Sequence, residues 1–200
     1  MPSVVILAIL IAAGVITALV FQGVQSVRTA PTALGPNGSS TFDAAGIKYI
    51  ERTRTVRVDL SGSTPSAETL GLTQNGTVTV RPSQTLVSTL RLAGNGTATE
   101  TPIDSVEVTT RAGAISVLRW STPASIGFAD LSSALLDSTA FGVDPAAIDA
   151  VLTGVRVANR QGTAYAHTFA PATALGSSVT ISVRCLSASA CSASYIATLM

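Results

Sequence analysis

The first charged side chain of this 200-residue chain is Arg28, and the stretch PSVVILAILIAAGVITALVF, from Pro2 to Phe21, is almost wholly apolar. From Val4 to Phe21 only Gly14 and Thr17 interrupt it. A helix that is hydrophobic on every side must lie in lipid or in a packed core. At about 1.5 Å per residue, a helix over Pro2 to Val27 is about 39 Å long, more than the roughly 30 Å hydrocarbon core of a bilayer. Residues 1–27 are therefore expected to form a membrane or assembly helix. Its apolar surface comes from Val4, Val5, Ile6, Leu7, Ile9, Leu10, Ile11, Ala13, Gly14, Val15, Ile16, Leu19, Val20 and Phe21. The small residues Ala8, Ala12, Ala13, Gly14 and Ala18 permit close approach of a second helix.

Two other readings compete. A cleaved secretory signal has a basic segment ahead of an apolar core of about 7 to 15 residues; here no Lys or Arg precedes the run, and the run is longer. A buried helix of a soluble protein is the other. Arg28 on the far flank favours a cytoplasmic body by the positive-inside rule. The Thr-rich body and a candidate disulfide favour the opposite, and the expectation is a membrane-anchored chain with its body outside the cytoplasm.

The stretch RTAPTALGPNGSST holds two Pro, two Gly and no periodic apolar face, so residues 28–45 read as a linker. Residues 46–200 then read as one β-rich domain. In TRTVRVDL, Val56, Val58 and Leu60 alternate with Arg57 and Asp59, the pattern of a strand with one buried face. TVTV, TLVSTLRLAG, DSVEVTT, AISVLRW, VRVANR, TAYAHTFA, SSVTISVRCL and ASYIATL supply further strands. The RAG between DSVEVTT and AISVLRW predicts a tight hairpin through Ala112 and Gly113. Asp144 followed by Pro145 is a helix start and Gly154 a helix stop, which predicts a short helix over Pro145–Thr153. Ala129–Thr139 is a second helical candidate. Turn signals every 8 to 12 residues point to a sandwich or jelly roll. The expected fold is mainly β: one N-terminal hydrophobic α-helix, then a β-sandwich or jelly-roll domain with one or two short helices.

Composition narrows function. Only 12% of residues are charged, against about 25% in average soluble proteins. Ser and Thr make up about a quarter of the chain, which suits strands with hydroxyl-rich solvent faces. The net charge is +1, with one Lys and scattered Arg, so there is no basic stripe and no nucleic-acid partner is expected. Strands with few charges to blunt their edges are surfaces suited to pairing.

No constellation of catalytic residues stands out. His167 is the sole histidine. No G-x-S-x-G elbow accompanies it, and its strand register with Tyr165 and Phe169 reads as a packing or edge position. Asp130, Asp137, Asp144 and Asp149 fall in the helical region without calcium-loop spacing, and Asp144 is explained as a cap. Zinc needs four ligands, and the chain offers two thiols and one imidazole. No enzyme, cofactor or metal is expected. Cys185 and Cys191 fit a disulfide closing a small loop, which implies an oxidising compartment; two reduced, buried thiols are the other reading. Asn37, Asn75 and Asn95 each open an Asn-Gly-Ser/Thr sequon and are candidate glycosylation sites, although Asn-Gly is also ordinary hairpin chemistry.

An apolar run such as VVILAILIAAGVITALVFQGVQSV followed by a β-rich domain resembles the type IV pilin superfamily, in particular archaeal-type pilins. The resemblance implies a helix that anchors the subunit in the membrane and then bundles in a filament core, with the β domain outside. The Cys185–Cys191 pair is similar in placement to the disulfide loop of bacterial pilins. Departures are the lack of a Lys/Arg-Gly leader and Val5, where bacterial pilins usually have Glu. The expectation is a non-enzymatic, self-assembling structural subunit whose partners are other copies, membrane lipid and other subunits of the same assembly. Two alternatives share this layout. One is a membrane-anchored capsid or spike-associated protein of a membrane-containing virus; the other is a membrane-tethered or secreted β-sandwich binding domain.

Overall fold

The alternation at 55–59 does what its period requires. In β1 (Thr55–Asp59) Val56 and Val58 are buried while Arg57 is exposed. The computed structural model describes residues 34–35, 38–59, 66–81, 88–94, 97–174, 176–187 and 189–199. The expected apolar helix over residues 1–27 and the sequon residues Asn37 and Asn95 lie outside them.

The described residues are mainly β, arranged in two sheets with three α-helices. In the smaller sheet, β1 pairs in parallel with β3 (Ser88–Gly94), which pairs antiparallel with β4 (Thr97–Ile103). The larger sheet uses β2 (Gly76–Val80), β5 (Ser105–Arg111), β6 (Ala114–Ser121), β7 (Tyr165–Thr168), β9 (Ser177–Ser187) and β10 (Ala190–Leu199). Their order is β2-β5-β6-β10-β9-β7, and β8 (Ala172–Ala174) also pairs with β9. The expected hairpin joins β5 to β6. Ala112 and Gly113 have φ of 51° and 79°, the pair of positive values that a two-residue hairpin turn demands.

Both sheets contribute to one apolar cluster. Val106 and Val108 on β5, Leu118 and Trp120 on β6, Ile181 and Val183 on β9, and Tyr195 on β10 are buried with Val56, Val58, Leu90 and Leu92 of the smaller sheet. Trp120 stacks on Tyr195 with centroids 5.0 Å apart, and Phe141 tilts against both. Three of the chain's nine aromatic residues thus meet at one point of the core, where each buries a large area.

The helices depart from expectation in two places. α3 does not stop at Gly154; it runs from Pro145 to Gln161, so Val155–Arg160 is helix and not strand. Ile148, Val151, Leu152 and Val155 are all buried, a spacing of 3, 4 and 7 that makes one continuous apolar stripe. The stop is Gly162, left-handed at φ 66°, whose N–H donates to the carbonyls of Ala158 and Asn159. The start is as read: the Asp144 carboxylate accepts from the Ala146 N–H at 2.9 Å. The second candidate helix is α2, Phe128–Asp137.

The other departure is α1 (Ala44–Thr53), which begins inside the stretch read as a linker. The Asp43 carboxylate caps it by accepting from the Gly46 N–H at 2.7 Å. The preceding Ser39, Ser40, Thr41 and Phe42 are buried. A glycine in the first turn weakens the helical signal, yet a side chain at Gly46 would overlap the Thr41 carbonyl. Close packing, not helix propensity, decides that residue.

Candidate assembly surface

Residues singled out for their chemistry have structural partners. Cys185 and Cys191 form a disulfide, directly opposite in the β9–β10 register with Cα atoms 4.0 Å apart. Both are buried, so the bridge faces the core and not solvent. On its other side Cys191 exchanges two backbone hydrogen bonds with Ile126, each 3.1 Å, which ties the hairpin to the entry of α2. His167 is exposed on β7, an edge strand, with its ring edge-on to Phe169 at 5.0 Å. Asp144 is spent as a cap. Among the described residues no group of three or more His, Cys, Asp or Glu is placed to hold a metal ion.

Asn75 is exposed, and its Oδ1 accepts from the Ala112 N–H at 2.9 Å. It therefore braces the β5–β6 turn from 37 residues away. A glycan would be carried on the amide nitrogen, which is not the atom that braces the turn.

Tyr195 lies behind the sheet. Its hydroxyl donates to the Ala134 carbonyl of α2 at 3.3 Å and lies 3.3 Å from the Ser138 hydroxyl. Burial raises its pKa above the usual phenol value; the Ser138 hydrogen bond opposes this and the nearby Asp137 charge adds to it. These groups hold α2 onto β10 and face no opening to solvent, as their burial shows.

What the domain presents outward is a broad polar sheet face. Because side chains alternate along each strand, the residues opposite the core line up in rows across the larger sheet. One row is Ser105, Ser121, Ser194, Ser182 and Thr168. Another is Thr77, Thr109, Val117, Thr198 and Ser178. Neighbouring hydroxyls bond in pairs: Ser105 to Ser121 at 2.9 Å, Thr168 to Ser182 at 3.0 Å and Thr77 to Thr109 at 3.0 Å. The ion pair on this face is Arg119 to Glu107 at 2.6 Å, surrounded by neutral side chains.

The four sheet edges differ in chemistry. Along β1, the Arg57 and Asp59 N–H groups donate to the hydroxyls of Ser40 and Ser39, and the Arg57 carbonyl accepts from the Ser40 N–H. That edge is consumed by the segment leading into α1. β4 carries Glu100 and Pro102, a charge and a residue without an N–H. β7 is four residues long and is followed within three residues by Pro171. β2 contains only Gly, Thr and Val and, among the described residues, pairs on one side only.

Among the described residues no helix is long and apolar enough to cross a membrane; the apolar run of residues 2–21 is not among them. Comparison with protein-family models, with curated proteins and with solved structures finds no match to this chain.

Proposed function

We propose that this chain is a non-enzymatic structural subunit of a self-assembling surface structure, pilin-like in plan. An N-terminal apolar helix supplies the membrane anchor and the packed core of the assembly, and the β domain is its extracytoplasmic body. Two sheets sharing one apolar cluster support a sandwich-type body. The observation that carries the reading is the pairing of the apolar run with a domain whose reactive side chains are committed to its own structure: the thiols to a buried bridge, Asp144 to a cap, Tyr195 to the α2–β10 contact. The outward face is rich in hydroxyls, and its charges include the Arg119–Glu107 ion pair and Arg184. Such a body suits packing beside copies of itself. The disulfide supports an oxidising location.

The test is electron microscopy of the full chain after detergent removal, beside Ala13→Asp. A charge at mid-helix costs about 3 kcal/mol in lipid and more in a packed apolar bundle. The wild-type chain should form filaments, and Ala13→Asp should lose them while the near-ultraviolet spectrum of Trp120 and Tyr195 stays unchanged. Closed icosahedral particles would replace the filament reading with the virion one. Dispersed monomers, or normal assembly of Ala13→Asp, would overturn the proposal.

A further inference from the structure

We infer that the edge of β2 that is unpaired among the described residues is a contact between two copies of this chain, which pair antiparallel through Gly76–Val80 about a two-fold axis at Val78. The inference rests on the self-assembly reading and names one surface through which it operates.

An edge strand is a row of unpaired N–H and C=O groups, and proteins normally block such rows with charge, proline, shortness or cover. The other edges here each carry one of those devices: cover by Ser39 and Ser40 on β1, Glu100 and Pro102 on β4, and shortness on β7 and on β8, which share the edge beside β9. β2 carries none within its five residues, although Arg81 and Pro82 follow it directly in sequence. Its sequence is also complementary to itself. With Val78 on the axis, Thr77 faces Thr79 of the second copy, Gly76 faces its Val80, and Val78 faces its Val78.

Both faces of the strand fit that register. Thr77 and Thr79 are exposed on the outer face, beside Thr109 and Glu107 of β5. Antiparallel pairing continues the hydroxyl rows across the junction, and cross-strand Thr pairs favour such contacts. On the inner face Val78 is only half-buried against the end of the core cluster, and Val78 of the second copy would cover it. The occupant is a second copy because no described edge other than β2 is open to a strand, and β2 matches β2. A two-fold contact closes on itself, so it makes pairs alongside whatever packing the apolar runs provide.

The test is Val78→Cys in the full chain. The two native cysteines are bridged to each other, so position 78 carries the sole free thiol. Under mild oxidation Val78→Cys should run as a covalent dimer, while Thr198→Cys, exposed on β10, should not. Adding Thr77→Lys with Thr79→Lys sets like charges opposite each other and should lower the dimer yield severalfold. Thr77→Glu with Thr79→Lys sets opposite charges there and should restore it. A Val78→Cys yield no higher than that of Thr198→Cys, or a yield indifferent to these charges, would overturn the inference. If the wild type still forms filaments in that case, the seam is wrong and the structural reading stands. Dimers without any larger assembly would keep the seam and sink the filament.

Discussion

Gly154 sits in the tenth position of α3, where helix propensity alone says alanine should be better by about 1 kcal/mol. The structure gives a reason for glycine. A Cβ at this position would stand 2.6 Å from Cε2, 2.8 Å from the hydroxyl oxygen and 2.9 Å from Cζ of Tyr165. The helix approaches β7 closely enough that the ring occupies the space of a methyl group. Burial of this ring also raises the Tyr165 pKa. Overpacking of this kind costs about 1 to 3 kcal/mol, so Gly154→Ala should be destabilising by about 1 kcal/mol after the propensity gain. With Tyr165→Ala already in place the clash is gone, and the same substitution should stabilise by about 1 kcal/mol. The coupling between the two sites is then about 2 kcal/mol, well above what independent sites show. Urea denaturation of the four variants, followed by Trp120 fluorescence, measures it. If Gly154→Ala shifts stability by the same amount and sign in both backgrounds, Tyr165 is not what the glycine makes room for.

Two further outcomes follow from the core. The Cys185–Cys191 bridge closes a loop across six positions, for which chain entropy assigns about 2 kcal/mol; reduction should therefore lower the thermal midpoint by about 4 to 8 °C, and a midpoint that does not move would show that the bridge is thermodynamically idle. Tyr195→Phe loses a hydrogen bond to Ala134, costing about 1 kcal/mol near neutral pH. In the parent, burial raises the folded-state pKa above the unfolded value of about 10, so the folded state holds the extra proton and stability falls as pH rises from that value through the folded one. The phenylalanine variant should show a shallower alkaline decline; a profile between about pH 9 and 11 as steep as the parent's would refute the assignment.

Much of the body was legible because its signals are local. Alternation marked β1, β5, β6, β9 and β10, since a sheet with one buried face repeats every two residues. Ala112–Gly113 marked the hairpin, and Asp144–Pro145 marked the start of α3. Local signals also misled. Gly154 looked like a stop because glycine often is one, although Ile148, Val151, Leu152 and Val155 already carried the stripe through it. α1 was hidden by Gly46 in its first turn, although Asp43, Ile47 and Ile50 offered a cap and an apolar side.

The candidate surface was legible only in part. The abundance of Ser and Thr implied a hydroxyl-rich face, but its rows depend on which strands are neighbours. Asn75 read as a sequon or a turn; that its side chain braces a hairpin 37 residues away is a fact of the fold.

The sequence by itself determines a long apolar run joined to a neutral, hydroxyl-rich β domain with two cysteines close together near its end. Those are properties of composition and short period, and they survive any arrangement of the strands. Only the tertiary structure decides that β1 lies parallel to β3, that the disulfide faces inward, and that β2 pairs on one side only among the described residues. Pairing partners are chosen by the global fit of apolar faces across tens of residues, and a strand's own alternation carries no record of which neighbour it will meet.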